Sequence, residues 1–325
     1  MTFTQGWEGP KVYASQLGPQ QVRADWTMPA PVTGIVPLRP LGVGDVLGGA
    51  FRAVRYSPPV MLGLTFAVVL VAQVVAVMIN LAFGEALSGV LLPFSQDLGN
   101  FGFLSLRSLT TPFANLVAIV VASMGLIYTV VEAVAGRRAT PQAALRHIGQ
   151  RLGAALGLAA LLAAGLLFAM VVGGAVLSSI GVAGGVLLFI FLVLPIGFVF
   201  NVKLLFIPCV ISSEQMGPFQ AVVRSWRLTT GVFWRTLGTY LLTLLIMWIP
   251  MSVISGVFFS LAEWAFMGDF IDPDSAAGMA LTTAGSLLSI ILTVPLITAV
   301  QTLLYVDARI RREGYDITLS EAMYG

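Results

Sequence analysis

The chain has 325 residues, of which 58% are hydrophobic and only 10% charged, with a formal net charge of +2. Soluble domains carry about 25% charged residues, so this composition, with a mean hydropathy of +0.93, excludes an aqueous globule and points to a bilayer as solvent. Cys209 is the only cysteine and His147 the only histidine, which excludes an internal disulfide, a cysteine-cluster metal site and paired-histidine catalysis.

Residues 1–40 are rich in proline and glycine (Pro10, Pro19, Pro29, Pro31, Pro37 and Pro40 among them), contain no apolar run and show no signal-peptide pattern. Such a segment buries too little surface to offset its ordering entropy and is expected to be a disordered tail. Residues 45–56 then read as an amphipathic helix. Val46, Leu47, Ala50, Phe51 and Val54 are apolar, Arg52 and Arg55 are polar, and Pro58-Pro59 ends it.

A helix needs about 20 apolar residues to cross the hydrocarbon core. The first such stretch is 60–83, between Arg55 and Glu85, and it carries Gln73 and Asn80. The second is 112–135, with Asn115 near its start and Glu132 near its end. A second amphipathic segment follows at 140–148, where Thr140 can cap the first amides and Arg146 and His147 lie beside the apolar Leu145 and Ile148. Residues 152–202 carry no charge and are long enough for two spans, with a tight turn expected at Ser178-Ser179-Ile180-Gly181 and Gly184-Gly185. Gly153-x-x-x-Gly157 and Gly165-x-x-x-Ala169-x-x-x-Gly173 predict close helix packing, inside the bundle in preference to a dimer. Asn201 and Lys203 close this stretch.

The clearest amphipathic segment is 218–230. Phe219, Val222, Val223 and Trp226 share one helical face, Gln220, Arg224 and Arg227 the other, and Gly231 suits the cap. A fifth span is expected at 233–262 and a sixth at 278–306, the latter with Gln301. Pro195, Pro250 and Pro295 fall near the middles of successive spans and can kink them. Asp307 and Arg311 form an i,i+4 pair on the extension of the sixth helix, where Arg309 and Arg312 also favour the C-terminal dipole.

The expected fold is therefore all-α: a polytopic membrane protein with six transmembrane helices as three hairpins, each preceded by a cytoplasmic amphipathic helix. The inferred organisation is a tail at 1–40, a membrane domain at 41–313 and a short cytoplasmic tail at 314–325. With the tail inside, nearly every Lys and Arg lies in an inner segment, and only Arg107 falls in an outer loop. The positive-inside rule then puts both termini in the cytoplasm. The excess of Arg over Lys, beside abundant Ala, Gly and Val, suggests a GC-rich bacterium and hence the bacterial inner membrane. Each hairpin with its surface helix returns the chain to the same side, so the copies read as parallel repeats about an axis along the membrane normal.

The run Ala221-Val222-Val223-Arg224-Ser225-Trp226-Arg227-Leu228-Thr229, followed by Gly231-Val232-Phe233-Trp234, resembles the segment before a span in the glycerophosphoryl diester phosphodiesterase membrane-domain family. The opening at residues 37–45 and the ending at residues 304–316 are similar to its actinobacterial members. In the proteins that name the family this membrane part precedes a separate catalytic barrel. The resemblance implies a membrane context, and it does not imply an activity for this chain.

Polar groups in a bilayer are functional suspects. Gln73, Asn80, Asn115, Asn201 and Gln301 either bond neighbouring helices or face a ligand. Glu132 and Lys203 lie near the inner ends, where they either snorkel to the headgroups or pair with each other. Arg52, Arg55, Arg146, Arg224 and Arg227 are expected to contact anionic headgroups, and His147 likewise. Asp269, Asp272 and Asp274 lack the spacing of a calcium loop and read as a solvated outer loop. No cofactor or metal is expected. The functional expectation is a non-catalytic protein that interacts with membrane lipids, or a scaffold or partner subunit. The alternative is a transporter for a small or amphiphilic solute between repeats, which would gather Gln73, Asn115 and Gln301 around one cavity.

Overall fold

The computed structural model describes residues 34–37, 40–97, 106–268 and 276–314. Most of the expected N-terminal tail, the Asp269–Asp274 loop and the C-terminal tail beyond Gly314 lie outside the described residues. Every regular element among the described residues is a helix. In chain order these are α1 (Val43–Tyr56), α2 (Pro58–Asp97), α3 (Leu106–Val134), α4 (Pro141–Leu188), a π-helical turn (Phe189–Val193), α5 (Leu194–Leu204), α6 (Ile207–Glu214), α7 (Pro218–Thr229), α8 (Phe233–Met267) and α9 (Ala276–Glu313).

Among the described residues six helical stretches are long and apolar enough to cross a membrane: Pro58–Ile79, Pro112–Val134, Pro141–Ala169, Ile190–Glu214, Phe233–Ala265 and Leu287–Glu313. The chain is a multi-pass helical membrane protein. Large apolar side chains such as Phe168, Phe191, Trp248 and Trp264 are more than two-thirds exposed, an arrangement that hydrocarbon tolerates and water does not. The second and sixth stretches, in α3 and α9, are mostly buried and make the centre of the bundle. Around them pack α2, α4 and α8, with α1 laid against α9.

Local chemistry sets several boundaries. Pro58 opens α2, where its missing N–H costs nothing, and the Ser57 carbonyl accepts from Met61 at 3.0 Å. Gly136, at φ 77°, closes α3 by returning its amide to the Ala133 carbonyl. Gly231 turns the chain between α7 and α8 at φ 93°, and Arg312 lies where a Cβ would stand.

Between the N-terminal segment and the third span's small-residue stripe, the structure departs from the sequence reading in four places. Ile35 and Val36, assigned to the tail, are buried, and the Ile35 amide donates to the Ala133 carbonyl. The segment at 140–148 is not a separate helix but the first turns of α4, with Thr140 Oγ1 accepting the Ala143 amide as its cap. No loop appears at 178–185, where the chain stays helical as far as Leu188. A straight helix from Pro141 to Leu204 would reach about 95 Å. Yet Leu158 and Leu162 share a cavity with Asn201 and Leu204, so this helical run doubles back. The π turn sits just ahead of Pro195, whose missing amide interrupts the regular ladder. Finally, Gly153, Gly165 and Gly173 have open space where a Cβ would be, and only Gly157 nears another element, at Pro218. The small-residue stripe is not a close-packing face within the chain.

The basic segments meet at one end of the bundle. The Leu41 amide reaches Asp307 on α9, Tyr56 reaches Gly136 after α3, His147 on α4 reaches Ser212 on α6, and Arg312 on α9 reaches the Arg227 carbonyl on α7.

Candidate functional site

The fourth candidate span is interrupted between Leu204 and Ile207. Pro208 has no N–H to offer the Leu204 carbonyl, so α5 stops and α6 restarts at Ile207. Three backbone groups at the break are met from outside the helix. Ser225 Oγ on α7 accepts the Phe206 amide at 3.2 Å and donates to the Lys203 carbonyl at 2.7 Å. The Gln301 side-chain amide on α9 donates to the Leu205 carbonyl. Phe206, Cys209, Val210 and Ile211 are completely buried, so α6 belongs to the core. The expectation that the fourth span ends before Lys203 is thereby corrected. Lys203 lies within the stretch, its ammonium 5.1 Å from the Trp226 ring centre, 5.6 Å from that of Phe233, and donating to Thr230 Oγ1.

Two ionic clusters flank this junction. Asp307, 3% exposed, accepts the Leu41 amide at 2.7 Å and the Arg311 Nε–H at 3.0 Å, and Arg235 lies 3.6 Å away. Glu214, at the end of α6, accepts from Arg224 at 2.9 Å and from the Tyr305 hydroxyl at 2.6 Å. Arg224 also pairs with Glu313 at 2.5 Å, and Glu313 with Arg309 at 3.0 Å. Burial opposes the charge of Arg224, but its bonds to Glu214 and Glu313 outweigh burial and raise its pKa above the ordinary value.

The residues singled out from sequence fall into several settings. Gln73 and Asn115 hydrogen-bond each other between α2 and α3, and Asn201 and Gln301 line a different cavity, so the trio Gln73, Asn115 and Gln301 does not converge. Glu132 pairs with Arg137 at 2.8 Å, so no Glu132–Lys203 pair forms. Asn80 has a side chain outside the described residues. Arg224 is engaged with carboxylates, and Arg52 donates to the Ile35 carbonyl at 2.8 Å. Arg55, Arg146 and Arg227 are exposed. His147 turns inward, stacks on Tyr128 at 4.9 Å and stands 3.0 Å from Ser212 Oγ, in place of the expected headgroup contact. Glu214, Tyr305, Ser225 and Pro208 escaped the sequence reading. The apolar run Leu204-Leu205-Phe206-Ile207 before Pro208 was the signal available for the buried break.

The cavity beside the break has a volume of about 450 Å³ and lies among α3, α4, α5, α6, α8 and α9. Its wall is mainly apolar. Among the described residues no three His, Cys, Asp or Glu side chains gather as metal ligands. Comparison with known families, curated proteins and solved structures finds no match for the chain.

Proposed function

We propose that this protein is a non-catalytic, lipid-interacting membrane protein of the glycerophosphodiesterase membrane-domain type, acting as a scaffold or partner subunit in the bacterial inner membrane. In this reading the basic end faces the cytoplasm, both termini lie there, the spans form three hairpins, and α1 and α7 run along the inner headgroup layer. The observation that carries it is the outer face of α7. Ala221, Ser225 and Leu228 are buried against the bundle, while Phe219, Val223 and Trp226 are exposed at 77%, 61% and 42%, followed by Trp234 at 80%. An apolar stripe with tryptophans beside exposed Arg227 suits the boundary between acyl chains and anionic headgroups. Positive charge on every basic segment suits the same leaflet. Transport rests on the interrupted fourth span alone, since discontinuous helices mark many transporter sites.

The reading is tested by placing the protein in vesicles whose phospholipids carry bromines either just below the glycerol or near the chain end. The fluorescence component lost in Trp226→Phe should be quenched by the shallow bromines more strongly than by the deep ones. Equal or deeper quenching would remove α7 from the interface.

A further inference from the structure

We infer that the cavity beside the broken fourth span is an intramembrane binding site for one acylglycerol lipid of the surrounding bilayer, held at its ester region. This site is separate from the surface stripe of α7. Its volume of about 450 Å³ falls within the range of about 300–1,000 Å³ usual for ligand sites. Leu116, Leu162, Met251, Ile290 and Ile297 give it walls suited to hydrocarbon. Two polar side chains in the lining stand out. Among the described residues the Asn201 carboxamide, on an exposed residue at the rim, and the half-buried Tyr240 hydroxyl have no hydrogen-bond partner, whereas Ser123 and Thr293 are bonded to their own helices and Gln301 to the Leu205 carbonyl. A polar group left unpartnered in apolar surroundings costs free energy, so a ligand bringing acceptors there is favoured.

The depth identifies the chemistry. Tyr240 lies five residues along α8 from Arg235, and Gln301 six along α9 from Asp307. At helical rise these are about 8 Å and 9 Å inside the ionic clusters. A lipid with its headgroup among the exposed arginines would place ester carbonyls beside Asn201 and Tyr240 and a chain against Met251 and Ile290. Both groups donate, and ester carbonyls accept.

The test uses the full chain in phosphatidylethanolamine vesicles doped with phosphatidylglycerol that carries a photoactivatable diazirine in one acyl chain. Crosslinks should concentrate on peptides containing Met251 and Ile290, and unlabelled phosphatidylglycerol should compete. Asn201→Leu with Tyr240→Phe should reduce this labelling about ten-fold, the effect of two lost hydrogen bonds. Ile290→Trp, which fills the cavity and leaves both polar groups, should reduce it as well. Phe219→Ser on α7 should not, so failure of the surface reading and of this one are distinguishable. Labelling as strong at the outward-facing Phe191 and Trp248, or unchanged in the double variant, would overturn the site.

Discussion

Asp307 joins three separate parts of the chain through one carboxylate: the Leu41 main chain before α1, Arg235 at the start of α8, and Arg311 on its own helix. Its value is greatest where water is scarce, because removing one partner strands the others. Breaking a buried pair costs about 3–5 kcal/mol, and the two arginines here are about a third exposed, which argues for the lower end. Asp307→Ala should therefore destabilise the detergent-solubilised protein by about 3 kcal/mol, read from thermal unfolding. Asp307→Asn keeps an acceptor for the Leu41 amide and should lose clearly less. Equal losses would show that the main-chain bond contributes nothing. Ser225 works by the same logic in neutral form, since its hydroxyl meets both an amide and a carbonyl freed by the helix break.

At the scale of the element, α7 carries opposite roles on neighbouring arginines. Arg224 is tied to Glu214 and Glu313, whereas Arg227 is exposed and holds α9 only through its carbonyl, which accepts from Arg312 at 2.6 Å. Charge reversal separates the two. Arg224→Glu puts a third carboxylate beside Glu214 and Glu313 and should lower the melting temperature markedly. Arg227→Glu should leave thermal unfolding within about 0.5 kcal/mol while weakening association with anionic lipid, by about 1 kcal/mol for each charge unit near the surface. Native mass spectrometry with phosphatidylglycerol reads the second effect. The assignment fails if Arg224→Glu melts like the parent, or if Arg227→Glu retains anionic lipid unchanged.

For the whole molecule, the gathering of the basic segments at one end yields a labelling pattern. In a Cys209→Ala background, Asp97→Cys and Asp272→Cys should react with an impermeant thiol reagent added to intact cells. Arg138→Cys, Arg227→Cys and Arg311→Cys should not. Labelling at position 227 would invert the proposed orientation. A second expectation concerns chemistry. Phosphodiester cleavage needs a positioned acid and base and neutralised phosphoryl oxygens. His147 is half-buried, stacked on Tyr128 and bonded to Ser212. Purified protein should release no alcohol from glycerophosphocholine with added divalent metal. Metal-dependent turnover abolished by His147→Ala would sink the non-catalytic reading.

Membrane spans were legible in the sequence because each is a local property: a run of apolar residues bounded by charge predicts a helix without knowledge of its neighbours. The Asp307–Arg311 pair was legible for the same reason, being one helical turn apart. Partners distant in sequence were not. Nothing near Glu214 announces Tyr305, and nothing near Gln301 announces the Leu205 carbonyl, since each contact joins different helices. The inward turn of His147 and the burial of Ile35 and Val36 depend on which surface each segment meets, as does the idle face of Gly153 and Gly165. Composition determined the solvent and the number of crossings. Tertiary packing decided which polar groups were satisfied, and left Asn201 and Tyr240 facing a cavity, because hydrogen bonds between helices follow bundle geometry and carry no local pattern.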